Sequence, residues 1–352
     1  VLALGEYTFE GEANLTPYFE LAYSRRKTES ISGLGQVSLD VPANSPFNIC
    51  NPAAVAVGGV DCGLAYNSLL DDPNYAADFA AVQGLTPAQF RDFGIVNIYS
   101  PALGAQGVTA LATVFGDRDN ATTDLDQTRI VVGLRGDMPF MNFGTLEDWS
   151  FDFYLSDQEA DGDSSRVGIR EDRLDLALGN YSLTDTPCVN DVGAELVSDA
   201  APGCVPLNPF SASLYAKVAG NEFESAAETA YLFDSRDFRT KYKQTLGVFY
   251  MSGEVFELPG GEALFGLGIE YREDEIESLP DQVAAEGLLV NYFIDEGAIG
   301  EKYTKEAFAE IELPLLADVN GAKELTINGS TRYTEDEFYG GAWTYSGKLA
   351  YR

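Results

Sequence analysis

Histidine is absent from the 352-residue sequence, which excludes catalysis by imidazole and the zinc sites that use histidine ligands. Basic residues are scarce, with 22 Lys and Arg against 56 Asp and Glu and a formal net charge of −34. Binding a polyanion depends on clustered Lys and Arg that release counterions, so nucleic acid is excluded as a partner. Long apolar runs are missing too. The apolar stretches are short and broken by Gly, Asp, Glu or Arg, well below the roughly 20 residues of a membrane-spanning helix, so only a barrel would carry this chain across a bilayer. The first residues read as a strand and the last stop within one, with no leader segment between, so the chain reads as a fragment lacking sequence at both ends.

What is present argues for a folded β protein. Hydrophobic residues make up 45%, with 19 Tyr and 21 Phe, which excludes disorder for most of the chain. The four cysteines fall in two close pairs, Cys50 with Cys62 and Cys188 with Cys204, each in a Gly-, Pro- and Asn-rich stretch. Neither pair has the short gap of a zinc knuckle and no histidine can complete a site, so two local disulfides and an oxidising compartment are expected.

Apolar and polar residues alternate with period two in many segments. Ala263, Phe265, Leu267, Ile269 and Tyr271 oppose Leu264, Gly266, Gly268, Glu270 and Arg272. Ala307, Ala309, Ile311 and Leu313 oppose Glu310 and Glu312. Similar patterns occur around residues 15–24, 129–135, 149–156, 325–333 and 343–352, whereas 245–256 has apolar residues on both sides. About nine strands result. Short turns at 11–14, 137–148, 258–262 and 314–323 alternate with long segments at 32–122, 161–235 and 279–300, and only the tight last connection, near Tyr339 and Gly340, departs from this. Outer-membrane barrels have short turns at one end and long loops at the other. The expected fold is therefore all-β: a partial transmembrane antiparallel barrel with long extracellular loops.

Glu270, Arg272, Glu310, Glu312, Asn328, Arg332 and Lys348 fall on one face of these strands and are expected to line a wet lumen, while the aromatic side meets lipid. Trp149, Tyr345 and Tyr351 fit either an aromatic girdle or ordinary strand packing.

The segments Leu267-Gly268-Ile269-Glu270-Tyr271-Arg272-Glu273-Asp274 and Glu306-Ala307-Phe308-Ala309-Glu310-Ile311-Glu312-Leu313-Pro314-Leu315-Leu316, with the two strands that follow them, resemble the barrel of TonB-dependent receptors. Leu207-Asn208-Pro209-Phe210 beside Cys204 and Asn44-Ser45-Pro46-Phe47 beside Cys50 are similar to Asn-Pro-Phe stretches in extracellular loops of that family. The resemblance covers residues 1–31 and 123–352, without the plug domain, the coupling segment or the terminal aromatic strand of the family. It implies a place in the bacterial outer membrane and import of a bulky, scarce nutrient (a siderophore, cobalamin or an oligosaccharide). TonB would supply the energy through the absent N-terminal region. A passive porin and a secreted β-rich adhesin are the alternatives.

Other sites are weaker. Residues 157–163 begin like a calcium loop, but Gly168 stands where a bidentate Glu belongs, so a solvated loop tip is the better reading, a looser extracellular calcium site is the weaker alternative, and no cofactor is expected. No carboxylate pair stands out as a catalytic dyad, and enzyme activity is not expected. The loop aromatics Phe47, Tyr66, Tyr75 and Phe210 are candidate extracellular ligand contacts, with packing inside the loops as the plainer alternative.

Overall fold

The computed structural model describes residues 1–31, 34–71, 74, 77, 103–115, 120–197, 199–215 and 221–352. Nine strands form one antiparallel sheet in the order β1-β2-β5-β6-β7-β8-β9-β10-β11. They are β1 (Leu2–Glu6), β2 (Thr16–Ser30), β5 (Ala121–Asp137), β6 (Glu147–Ile169), β7 (Phe233–Leu258), β8 (Gly261–Pro280), β9 (Ala298–Val319), β10 (Ala322–Asp336) and β11 (Gly340–Tyr351). The sheet is open, with β1 and β11 as its edges.

Residues directly opposite each other in an antiparallel sheet share a face, so the pairing defines two faces without ambiguity. One row runs Pro17, Leu134, Phe153, Phe249, Ile269, Ala307, Tyr333 and Trp343 across eight strands. Adjacent residues supply the opposite row: Arg135, Asp152, Tyr250, Gly268, Phe308, Arg332 and Thr344. The apolar face is uncovered. Ile269 is 56% exposed and Trp343 58%, so no second layer of the described residues lies over them. Tyr345 and Tyr351 are exposed on the same face, whereas Trp149 is buried. Its indole lies on Gly253 and donates to the Glu254 carbonyl (3.1 Å).

Several boundaries differ from the sequence reading. The expected turn at 314–323 is mostly strand: β9 runs on to Val319, and a bulge between Leu325 and Thr326 accommodates Pro314. Proline cannot donate to a ladder but is tolerated at a bulge. The reversal falls instead at Asn320-Gly321, where Gly321 has φ 93, a conformation that favours glycine. The long segment 161–235 shrinks to 170–232, because β6 continues to Ile169 and β7 begins at Phe233. Likewise β5 begins at Ala121, β8 ends at Pro280 and β9 begins at Ala298. The stretch 157–163 is therefore strand, not a loop tip, and its acids Asp157, Glu159, Asp161 and Asp163 all lie on one face.

The loops build a cap. Strands β3 (Leu34–Val41) and β4 (Val108–Phe115) form a separate two-stranded sheet. Helices α1 (Cys62–Asp71), α2 (Glu171–Leu178), α3 (Ala226–Leu232) and α4 (Gln282–Ala285) complete it. Helix α2 buries Leu174, Leu176, Ala177 and Leu178, and α3 starts with a capping box between Ser225 and Glu228, which satisfies otherwise orphaned backbone donors. Val37, Leu39, Ala112, Leu174, Leu178, Leu207 and Leu232 pack into one apolar cluster. The disulfides Cys50–Cys62 and Cys188–Cys204 close chain separations of 12 and 16 residues in the loops, and Cys204 packs against that cluster.

Candidate functional site: the polar face and its cap

All seven residues expected to line the lumen lie on the polar face. Glu312, Asn328 and Lys348 form one row, and Glu310 lies in the next with Ser330 and Ser346. The remaining three follow along the strands, Arg332 opposite Phe308, Glu270 opposite Glu306 and Arg272 opposite Thr304. A hollow of about 410 Å³ brings together Glu310, Glu312, Asn328 and Lys348 with Tyr250 and Glu254. Arg332, Glu270 and Arg272 lie outside it.

Hydrogen bonds tie this face together. Tyr250 donates to Glu310 (3.0 Å), and Asn328, with its amide turned to face the acid, donates to Glu312 (3.1 Å). Arg332 bonds Glu306 (2.8 Å) and sits over the Phe308 ring, 5.0 Å from its centroid. Further along, Tyr242 and Gln244 both donate to Asp274, and Tyr18 donates to Asp152 (2.8 Å). Tyr18, Asp152, Tyr242, Tyr250 and Phe308 were missed in the sequence. The available signal was glycine opposite or near an aromatic. A Cβ on Gly133 would meet the Tyr18 ring, one on Gly266 the Tyr250 hydroxyl, and one on Gly268 the Phe308 ring. Those glycines let the rings lie flat on the sheet.

The cap is fastened through Arg170, whose side chain is 1% exposed. It forms ion pairs with Asp172 (2.7 Å), Asp199 (3.0 Å) and Asp234 (3.0 Å), and Arg173 adds bonds to Asp199 and Asp234. Burial works against the Arg170 charge, but the bonds from Asp172 and Asp199 outweigh it and raise its pKa. Hydrogen bonding from Arg170 holds the Asp199 carboxyl below its ordinary value. Burial pushes Asp175 upward, and it pushes Tyr181 to about 12 with Asp175 adding to the effect. Backbone bonds knit in the third loop, from Glu171 to Leu288 and from Val290 to Ile169 (2.8 and 2.9 Å).

Phe47 is half-buried, and Phe210 packs against the cap core. Tyr66 lies on α1 with its side chain outside the described residues, and Tyr75 lies outside them altogether. The local repeat is better placed at the two Asn-Pro pairs. Asn51 accepts from the Ala53 amide (3.0 Å) and Asn208 from the Phe210 amide (3.1 Å), whereas Asn44 donates to Asp185 instead. Among the described residues no group of three or more acids or cysteines is arranged to hold a metal ion. Compared with protein-family models, curated proteins and solved structures, the chain matches none.

Proposed function

We propose that this chain is the wall and cap of a bacterial outer-membrane barrel of the TonB-dependent receptor type, importing a bulky, scarce nutrient such as a siderophore, cobalamin or an oligosaccharide. The uncovered apolar row from Pro17 to Trp343 carries the reading. Water would penalise such a surface at about 25 cal/mol per Å², and a lipid chain removes that penalty. Above the row the same face turns ionic, with Asp157, Glu159 and Asp161 on β6 and, opposite the last two, Lys243 and Lys241 on β7. A bounded greasy belt beneath a charged rim is the profile of a strand leaving hydrocarbon. On the opposite face Glu310, Glu312, Asn328 and Lys348 contact ligand in a wet lumen, the cap covers the extracellular mouth, and TonB acts from the periplasmic end.

The two tryptophans supply a test. With the protein in vesicles containing brominated phospholipid, Trp343 fluorescence is expected to be strongly quenched, and Trp343→Phe to leave only the weakly quenched signal of buried Trp149. Solubility without detergent, together with unquenched Trp343, would sink the proposal.

A further inference from the structure

We propose that Arg166 and Arg236 form a binding site for the oxyanion of a ligand, a carboxylate or a phosphate, at the cap end of the polar face. This deepens the import reading and rests on it only in having the ligand arrive on that face. The two arginines stand directly opposite each other on β6 and β7. Like charges so placed repel, and a chain with 56 acids has ample means of pairing each base. Yet Arg166 has no carboxylate partner among the described residues. Its Nη1 donates to the Tyr292 hydroxyl (2.9 Å). Arg236 makes one long contact, 3.3 Å, to Asp295, a carboxylate that is 46% exposed and also accepts from the Gly297 amide. The Arg236 Nε is buried without a partner.

Tyr292 explains how two guanidinium groups, only one of them paired with a carboxylate, are held side by side. Its ring centroid lies 4.7 Å from Arg236 and 5.9 Å from Arg166, and the negative face of an aromatic ring offsets part of a cation's charge. The ring orients both groups and leaves most of their five donors each unused. Paired guanidinium forks match the oxygens of a carboxylate or phosphate. Asp295 serves as a resident substitute that an incoming oxyanion displaces. The long-range field of a −34 chain repels anions, so recognition depends on these close contacts and not on steering.

Calorimetric titration of the detergent-solubilised full chain with inorganic phosphate and with citrate, against chloride at equal ionic strength, tests the site. Wild type is expected to bind saturably. Asp295→Asn removes the competing carboxylate and tightens binding several-fold, while Arg166→Gln weakens it at least tenfold. Arg166→Lys keeps the charge but loses the fork, and falls between. Binding unsaturated in the wild type, unchanged by Arg166→Gln, or not tightened by Asp295→Asn overturns the site. Because the titration needs no bilayer, its failure leaves the Trp343 quenching result standing, and the converse holds.

Discussion

A buried guanidinium is costly unless its surroundings compensate for the water it has lost, and Arg170 shows how completely this cap compensates. Asp172, Asp199 and Asp234 converge on one side chain from α2, the loop before Leu207 and the start of β7. Its own amide meanwhile donates to the Leu232 carbonyl (2.8 Å). Replacing Arg170 with Met leaves Asp172 without its guanidinium partner and Asp199 and Asp234 with Arg173 alone. We expect a loss of about 3–5 kcal/mol in cap stability, read as faster amide exchange at Leu174 and Val290. Two nearby acids respond to pH in opposite directions. Asp175 has a raised folded pKa, so it destabilises the cap when ionised, and stability rises as pH falls from neutral through that raised value. Asp199 has a lowered one, so its contribution is complete above the ordinary carboxylate range, near 3.9, and is lost as pH falls through its folded value. The cap is therefore expected to be most stable in mild acid. Asp175→Asn keeps an acceptor for Asn180 and should reduce the rise on the neutral side, to which Glu171, also raised by burial, still contributes, while leaving the acid loss. An unchanged profile in thermal melts would refute the assignment.

At the level of strands, two glycines of the sheet make opposite demands. A Cβ on Gly266 would lie 2.4 Å from the Tyr250 hydroxyl, whereas one on Gly347 would meet nothing within 4 Å. Gly266→Val is thus expected to lift Tyr250 off the sheet, break its bond to Glu310 and cost about 1–3 kcal/mol. Gly347→Ala should stay within about 0.5 kcal/mol of wild type. Thermal unfolding of the two variants separates a required glycine from a tolerated one. The same alternation made the faces legible in advance. Where Ile269 alternates with Glu270, or Ile311 with Glu310, period two is visible, and the pairing puts those residues where the pattern implies. Above the belt the pattern disappears, because Asp157, Glu159 and Asp161 replace the apolar partners of Ser156, Gln158 and Ala160. The upper part of β6 therefore read as loop. The cap core was illegible for a different reason. Val37, Leu174 and Leu232 meet across more than a hundred residues of chain, and no local periodicity reports that contact. The cysteine pairs were legible because each closes a short loop.

For the molecule as a whole, the question is what lies against the apolar face, and position along that face answers it better than any single residue. Ile269 lies within the apolar stretch of β8, between outward Leu267 and Tyr271, while Thr128 lies on the same face near the charged rim, opposite Tyr23 and Glu159. In a bilayer the cost of an outward Arg depends on depth, about 2–4 kcal/mol at the midplane and about 0–1 near the interface. Ile269→Arg should therefore destabilise the protein in phospholipid vesicles by the larger amount and Thr128→Arg by the smaller. Glu270→Arg, one residue along from Ile269 but facing the polar side, should cost little, because water already reaches that face. Reversible denaturant unfolding from vesicles measures all three. In plain water no depth exists, and an exposed Arg at either outward position would be nearly free. Equal costs for Ile269→Arg and Thr128→Arg would mean that this face is not immersed in lipid, and the charged rim on β6 and β7 would then be no more than opposite charges facing each other across two strands.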